Sequence, residues 1–337
     1  MTGGRITGYD APIVKNMGEY ISNVNIDEKY YVNFADAHPV LTQPGKMIMR
    51  FGKKCGSEEL YSFGKMAESL STVNKYYFFG IAYRVYKDML IPQVHEADKV
   101  LGKETVWYEG TKIAVLREGS DTSKGLYLAT KGGHNKESHN HNDVGCLVVY
   151  SNGKPVIVDP SHGSYNNEFF GRARYWRWYM KSSYHSIPTV NGVEQLAGME
   201  FYSSDEVFDK DTKTVSMELK NAFPADAGII SMTRKCHMDK GFLTVTDTVK
   251  CENVSEIAFN YLTLDEPKRL GDGRLEISEG KIFEFDPEGL DVEFEKVENK
   301  LLPYEDLNFQ SIWKRDCLWR IVLKATAKEK TVIVTIK

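Results

Sequence analysis

The hydrophobic periodicity of this chain changes once, near residue 105, and that change limits the folds open to it. Before this point apolar residues recur at helical spacing, as at Val14, Met17 and Ile21. After it, apolar and polar residues alternate with a period of two, which is typical of strands. Helices followed by strands, without alternating βαβ units, predict an α+β protein with antiparallel sheets.

The predicted domains follow the same boundary. We expect a helical domain over residues 1–100 and a large antiparallel β-sandwich over residues 101–337. Helices are predicted at Ala11–Val24, Lys46–Phe51, Ser57–Leu70 and Tyr76–Leu90. Strands are predicted at Ile113–Leu116, Leu126–Ala129, Cys146–Tyr150, Val156–Val158, Val215–Leu219, Phe242–Thr248, Ile257–Thr263, Leu318–Leu323 and Thr331–Lys337.

Composition and charge argue against several classes of protein. With 42% hydrophobic residues the chain is not of the disordered class, and its net charge of −4 offers no footprint for nucleic acid or an anionic membrane. The polar N-terminus has no apolar core of a signal peptide, and no apolar run reaches the ~18 residues of a membrane span. The five cysteines are scattered without a CxxC pair, which argues against a disulfide framework and a cysteine zinc ribbon. We therefore expect neither nucleic acid nor membrane as a partner, and the localisation stays open.

Histidines are concentrated in one part of the sequence. Of eight in the chain, five lie between residues 134 and 185, and the densest part is Gly132–Gly145 (GGHNKESHNHNDVG), called the histidine segment below. Zinc prefers neutral imidazoles with a carboxylate in a near-tetrahedral set. The segment and the later Asp159 and His185 predict a metal or catalytic site. The alternative for His139 and His141 is a pair of loop histidines held by backbone hydrogen bonds.

Strand register puts a condition on this site. If Asn152 and Gly153 form a two-residue hairpin turn, an unbroken ladder pairs Cys146 with Asp159. In that ladder His141 lies on the face opposite Asp159. The chain must therefore bend or bulge at residues 142–143 if both side chains are to bind one metal.

A second local feature is Gly171–Lys181 (GRARYWRWYMK), called the aromatic segment below. It holds four positive charges, four aromatic residues and no acid. Arginine binds carboxylate or sulfate through two parallel hydrogen bonds, and aromatic faces stack on sugar rings. Arg174 and Trp178, with Glu137 of the histidine segment, are therefore candidate substrate-binding residues for an acidic ligand. The alternative is an amphipathic strand whose Trp176 and Trp178 pack in the core.

The order of these motifs resembles the heparinase II/III-like family of polysaccharide lyases. The resemblance covers roughly residues 30–330. It rests on the histidine segment, on NGKPVIVDP over residues 152–160, on Arg174-Tyr-x-x-Trp178 followed by YHSIP at 184–188, and on NFADA at 33–37.

The resemblance implies a fold and a reaction. The fold is an α/α toroid followed by an antiparallel β-sandwich, with Zn²⁺ held by His141, Asp159 and His185 at the domain junction. His139 would face the substrate and help catalysis. The reaction is β-elimination on an acidic, uronate-containing polysaccharide or oligosaccharide, and relatives often act in the periplasm or outside the cell.

The chain departs from the family pattern in its first half. Family members carry a catalytic tyrosine inside the toroid, and we find no matching motif among the about 138 residues that precede His139. A catalytically incomplete, carbohydrate-binding β-sandwich is therefore the alternative function. A cupin-like metal enzyme is a third, although it needs a glutamate after the histidine pair, where Asp143 is poorly placed. Apolar helix faces such as Tyr77 to Leu90 suggest a homo-oligomer.

Overall fold

The structure, a computed structural model, describes residues 8–41, 43–70, 94, 101–171, 173–300 and 305–337. The predicted helix from Tyr76 to Leu90 lies outside these residues, as does the prediction of self-association that rests on it. The chain divides into two compact units. The helical unit comprises Met1–Tyr31, Val40–Lys103 and Ser120–Lys124, and the sandwich unit comprises Val32–Pro39, Glu104–Gly119 and Gly125–Lys337.

Three α-helices and a small hairpin form the described part of the helical unit. Its elements are α1 (Pro12–Asn23), β1 (Asn25–Asp27), β2 (Tyr30–Tyr31), α2 (Gly45–Cys55) and α3 (Glu58–Ser69). Helix α3 begins where the sequence predicts, because the Ser57 hydroxyl accepts a hydrogen bond from the Leu60 backbone N–H at 3.2 Å. Helix α2 ends at Gly56, whose φ of 62° suits glycine.

Glycines let helices α2 and α3 approach each other closely. A Cβ atom at Gly45 would lie 2.4 Å from the Glu68 backbone nitrogen, and one at Gly64 would lie 2.6 Å from the Met49 backbone nitrogen. Any larger residue would push the helices apart. Leu60 and Phe63 are buried in the same unit. The close contact of the two helices therefore depends on small residues as well as on the apolar stripe.

Seventeen strands and one short helix are described in the sandwich unit, beside several 3₁₀ turns. The elements are β3 (Thr105–Tyr108), β4 (Ile113–Arg117), β5 (Leu126–Lys131), β6 (His134–Asn135), β7 (Leu147–Ser151), β8 (Lys154–Ile157), β9 (Thr189–Val190), β10 (Gly198–Tyr202), β11 (Ser204–Asp209), β12 (Thr214–Glu218), β13 (Ile229–Asp239), β14 (Phe242–Thr263), β15 (Lys268–Gly271), β16 (Arg274–Ser278), β17 (Lys281–Phe285), β18 (Asp291–Val297), α4 (Phe309–Trp313) and β19 (Leu318–Ile336). One sheet has the order β3-β4-β5-β7-β8, and a ten-stranded sheet has the main path β11-β12-β13-β14-β19-β17-β16-β15.

The strand pairs of both large sheets are antiparallel, so the predicted α+β class with an antiparallel β-sandwich is confirmed. In the five-stranded sheet, β4, β5 and β7 are buried along their whole length. Such strands carry near-continuous apolar runs because both of their faces are covered. No helix among the described residues has the length and apolar composition needed to cross a bilayer.

Two strands are much longer than predicted. Strand β14 joins two predicted strands, and β19 joins two others. They pair from Leu243 opposite Ile336 to Thr263 opposite Trp319, with a register shift between Lys250 and Ser255. Exposed residues at 252–254 separate the two predicted strands, yet they belong to a single strand that bends without ending.

Candidate functional site

The histidine segment links β5 to β7 and is irregular except for the two residues of β6, which pair with β10. Buried polar contacts hold it in place. The Lys131 ammonium lies 2.6 Å from the Asp143 carboxylate, and both side chains are buried. The Gln195 side chain donates to the Val144 carbonyl at 2.7 Å and accepts from the Val144 N–H at 3.2 Å. The segment is therefore a fixed part of the sandwich unit although it has little regular structure.

The bend that the sequence required is present. Tyr150 pairs with Pro155, as a two-residue turn at Asn152 and Gly153 demands, but the register shifts at the next position of β7. Strand β8 ends at Ile157, and a turn with Gly145 at φ 93° precedes β7. The simple ladder that would separate His141 from Asp159 is therefore interrupted at both ends.

His141, Asp159 and His185 come together as predicted, and all three are buried. Each offers one ligand atom, and these atoms lie within 4.8 Å of one another. The His185 Nδ1 atom lies 2.6 Å from Asp159 Oδ2, and the two histidine rings have centroids 5.1 Å apart. Two imidazoles and one carboxylate are a donor set that suits zinc.

Two ring nitrogens in this cluster lack a hydrogen-bond partner among the described residues. They are His141 Nδ1 and His185 Nε2, and both are buried. An unpaired buried polar atom costs free energy, and native proteins rarely leave one without a reason. A cation bound between these nitrogens would satisfy both, so the cluster fits a metal ion on grounds of its own chemistry.

The electrostatics of the two histidines differ. Burial lowers the pKa of His141, although the hydrogen bond to Asp36 opposes this effect. Burial also acts to lower the pKa of His185, but the adjacent Asp159 carboxylate outweighs it and the pKa is raised. A metal ligand must be the neutral imidazole, so the environment of His141 favours the form that binds a cation.

The side chain of His139, unlike that of His141, is exposed to solvent, with 57% of its surface accessible. Its backbone has φ 61°, in the left-handed region that non-glycine residues rarely adopt. Ala35, Ser161 and Ser186, which lie next to other residues of the site, share positive φ values of 56°, 70° and 57°. Such strained conformations persist where the surroundings over-determine them, and they cluster at functional sites.

Asp36 is the residue that sequence analysis did not assign to the site. Its side chain is only 3% exposed, and its Oδ1 lies 2.9 Å from His141 Nε2 while its Oδ2 lies 3.0 Å from His139 Nδ1. Arg174 donates to Oδ1 at 2.8 Å, and the Tyr165 hydroxyl donates to Oδ2 at 3.2 Å. Burial alone would raise the pKa of Asp36, but the hydrogen bond from His141 and the charges of His141 and Arg174 lower it to about 2.

The predicted substrate-binding residues are not arranged as expected. Trp178 is 1% exposed and stacks on Phe309 in the hydrophobic core, so it offers no surface to a sugar ring. Arg174 is buried and its guanidinium donates to Asp36 and to the Asn140 carbonyl. These two assignments need correction. The third, Glu137, is half-buried, and one of its oxygens lies 3.8 Å from the Lys131 ammonium.

The described part of the aromatic segment folds as two short 3₁₀ helices, at Arg174–Trp176 and Trp178–Met180, and not as a strand. A third 3₁₀ helix follows the segment at Ser182–Tyr184. Its core alternative is right for Trp178 and wrong for Trp176, which is 62% exposed.

Exposed aromatic surface lies beside His139 instead. Tyr165 is 50% exposed and Phe170 is 63% exposed, with ring centroids 5.3 Å apart. The Tyr165 ring centroid is 6.1 Å from that of His139. Neither residue was singled out in the sequence, because both lie between the motif that ends at Pro160 and the aromatic segment that begins at Gly171.

Comparison with known proteins identifies the family to which this chain belongs. The sequence profile described as "Heparinase II/III-like, C-terminal" matches residues 102–293, more than half of the chain. The chain belongs to the heparinase II/III-like family. No curated protein matched the sequence in a separate search.

Solved structures of similar fold include other proteins of this kind. A heparinase III gene product has a TM-score of 0.68 and 13% identity, over 96% of this chain and 46% of that one. The heparan sulfate lyase HepC from Pedobacter heparinus has a TM-score of 0.64 and 10% identity over 96% and 46%. Another heparinase III has a TM-score of 0.64 and 12% identity over 98% and 49%. The heparinase II/III-like chain described here therefore spans about half the length of these proteins.

Proposed function

We propose that this chain forms the β-sandwich part of a polysaccharide lyase that cleaves an acidic, uronate-containing polysaccharide by β-elimination. One observation carries the proposal. An exposed imidazole, that of His139, lies beside a buried His141–Asp159–His185 cluster and shares the Asp36 carboxylate with it. This proximity supports a candidate cation site next to an imidazole that is accessible for proton transfer.

We propose zinc as the cation. His141, Asp159 and His185 would hold it, and the two unpaired buried nitrogens support this assignment. Zinc, when bound, would tie together three loops of the sandwich unit and supply positive charge to the site. Because elimination needs no hydroxide nucleophile, a metal-activated water is not part of the scheme.

The chemistry asks little of the sandwich beyond one proton-transfer group and charge stabilisation. In β-elimination a base removes the C5 proton of the uronate, the electron pair forms the C4–C5 double bond, and the C4–O bond breaks. The departing oxygen then takes a proton from an acid. His139 suits the work of base or of carboxylate neutraliser because an imidazole can both accept and donate a proton and because its ring is open to a substrate.

The exposed rings of Tyr165 and Phe170 are the surface on which we expect the sugar chain to lie. Aromatic faces pack against the apolar C–H faces of pyranose rings. The Tyr165 ring adjoins His139, and the Phe170 ring adjoins Tyr165. One of the structural relatives is described as a heparan sulfate lyase. Heparan sulfate is therefore the first polymer to test, followed by alginate.

A second candidate function is a carbohydrate-binding β-sandwich without catalytic activity. It is favoured by the same aromatic surface, because exposed rings bind a sugar chain without any proton-transfer step. This function predicts binding of polysaccharide that survives loss of His139.

The two functions separate in one experiment. The chain is incubated with heparan sulfate, heparin, alginate and neutral dextran, and two quantities are measured. These are ultraviolet absorbance of the unsaturated uronate product, and binding by affinity electrophoresis. The variants are His139→Ala and the matched His237→Ala, since His237 lies on β13.

A product made by wild type and His237→Ala, and lost in His139→Ala, supports the lyase. Binding by all three proteins without any product supports the binding module. Neither binding nor product with any acidic polymer contradicts both.

A further inference from the structure

The Asp36 carboxylate has a complete set of hydrogen-bond donors. Oδ1 receives Arg174 Nη2 at 2.8 Å and lies 2.9 Å from His141 Nε2. Oδ2 receives the Tyr165 hydroxyl at 3.2 Å and lies 3.0 Å from His139 Nδ1. A carboxylate has about four lone-pair positions, two on each oxygen. All four are used here, by residues from separate parts of the chain.

The direction of these hydrogen bonds follows from charge. Asp36 is buried and adjoins a guanidinium that is always protonated, so its carboxylate is ionised. An ionised carboxylate accepts hydrogen bonds and donates none. Both histidine nitrogens that face Asp36 must therefore carry a hydrogen: Nδ1 of His139 and Nε2 of His141.

We propose that Asp36 is a positioning residue that fixes opposite tautomers in the two histidines. His141 carries its hydrogen on Nε2 and turns the lone pair of Nδ1, which is buried without a partner, toward the cation site. His139 carries its hydrogen on Nδ1 and keeps the lone pair of Nε2 on its exposed side. One carboxylate thus prepares one imidazole to bind a metal and the other to accept a proton or a hydrogen bond from substrate.

The structural alternative is that Asp36 merely neutralises the buried Arg174. That role would leave the histidine tautomers free to be set by other contacts. His139 would then adopt the Nε2–H form that an unconstrained imidazole prefers, because its ring is largely in water. The tautomers therefore distinguish positioning from simple charge pairing. The roles in metal binding and catalysis rest on the proposed function, whereas the tautomers do not.

The test is long-range ¹H–¹⁵N correlation spectroscopy on the metal-free chain labelled with ¹⁵N-histidine. The chain contains eight histidines. The signals of His139 and His141 are identified by their loss in His139→Ala and His141→Gln. We expect Nδ1–H for His139 and Nε2–H for His141 in the wild type. An Nε2–H tautomer at His139 in the wild type overturns the proposal, even if no variant of Asp36 folds.

Asp36→Asn gives the second arm, with Asp306→Asn as its matched control. Asp306 accepts from the Tyr179 hydroxyl at 2.9 Å and from the Ser164 N–H at 3.1 Å, so the same substitution leaves the histidine contacts untouched. We expect Asp36→Asn to shift His139 toward Nε2–H and to weaken Zn²⁺ binding about 10- to 100-fold. Asp306→Asn should change neither. Unchanged tautomers in a folded Asp36→Asn overturn the proposal.

Failure of the proposed function gives a different pattern. If the wild type shows the expected tautomers but binds no Zn²⁺ and forms no unsaturated product, the lyase assignment fails and the role of Asp36 in fixing the tautomers stands. If the wild type binds Zn²⁺ and forms product while His139 is in the Nε2–H form, the lyase stands and the positioning role fails.

Discussion

The histidine segment and the aromatic segment both contact Asp36, and different interactions hold each of them in place. The histidine segment has an irregular backbone fixed by buried ion pairs and amide hydrogen bonds, such as Lys131 to Asp143. The aromatic segment is fixed largely by apolar packing, with Trp178 stacked at an interplanar angle of 6° on Phe309. In the histidine segment, polar contacts hold the chain while His139 stays exposed to solvent. In the aromatic segment, the ring of Trp178 that makes the packing contacts is buried and cannot contact a ligand.

The two segments meet at Asp36. Arg174, from the aromatic segment, and His139 and His141, from the histidine segment, contact this one carboxylate. The contribution of the aromatic segment to the site is therefore a buried positive charge next to Asp36.

Loss of the Arg234 side chain, which binds the end of the histidine segment, should have the largest effect on stability. Arg234 donates to the Gly145 carbonyl at 2.6 Å and to the Ser186 carbonyl at 2.7 Å, and it pairs with the buried Asp247. Arg234→Ala leaves Asp247 uncompensated, so we expect unfolding free energy to fall by about 3–5 kcal/mol in denaturant titration. Arg274→Ala, at the exposed pair with Glu284, should cost under about 1 kcal/mol. Equal losses of unfolding free energy in the two variants would show that the buried contacts of Arg234 contribute no more than an exposed ion pair.

Removal of the ring that anchors the aromatic segment should cost a similar amount. Trp178→Ala creates a cavity in the core, and we expect a loss of about 3–5 kcal/mol in unfolding free energy. Trp176→Ala removes an exposed ring from the same segment and should change stability by no more than about 0.5 kcal/mol. A tolerated Trp178→Ala that loses polysaccharide affinity would instead restore Trp178 as a sugar-stacking residue.

The two segments show which features of the fold and the site could be predicted from the sequence. Residue type and order were enough to predict the α+β class and the need for a bend near His141, and the family resemblance implied the grouping of His141 with Asp159 and His185. They did not predict side-chain direction in the aromatic segment, because 3₁₀ turns give it neither the period of a strand nor that of an α-helix. Asp36 was beyond prediction from spacing, because it lies 103 residues before His139 in sequence and meets it only through the fold.

Replacement of Arg174, the residue that joins the two segments through Asp36, should have an effect of intermediate size on stability. Arg174→Ala removes charge-assisted hydrogen bonds to Asp36 and to the Asn140 carbonyl, and we expect a loss of about 1.5–3 kcal/mol in unfolding free energy. Because the guanidinium is buried, any fall in polysaccharide affinity should be the same at low and high salt. A fall that is larger at low salt would show that Arg174 binds the acidic chain directly, as the sequence suggested.

The smallest effect is expected at the exposed ring of Phe170. Phe170→Ala should leave stability within about 0.5 kcal/mol of the wild type, since the ring is largely in solvent. It should weaken polysaccharide binding about threefold to tenfold, the range expected for loss of one aromatic contact. Val254→Ala, at an exposed apolar residue of β14, is the control for affinity measured by calorimetry. Equal affinities of the two variants would remove Phe170 from the binding surface.

The central claim is the division of labour between two histidines that are two residues apart, and elemental analysis tests it most directly. The wild type, His139→Ala and His141→Ala are purified identically, and zinc is measured per chain beside the thermal unfolding temperature. We expect about one zinc in the wild type and in His139→Ala. In His141→Ala we expect loss of zinc and a lower unfolding temperature. Equal metal content in the two variants, whether both retain zinc or both lack it, would contradict the account.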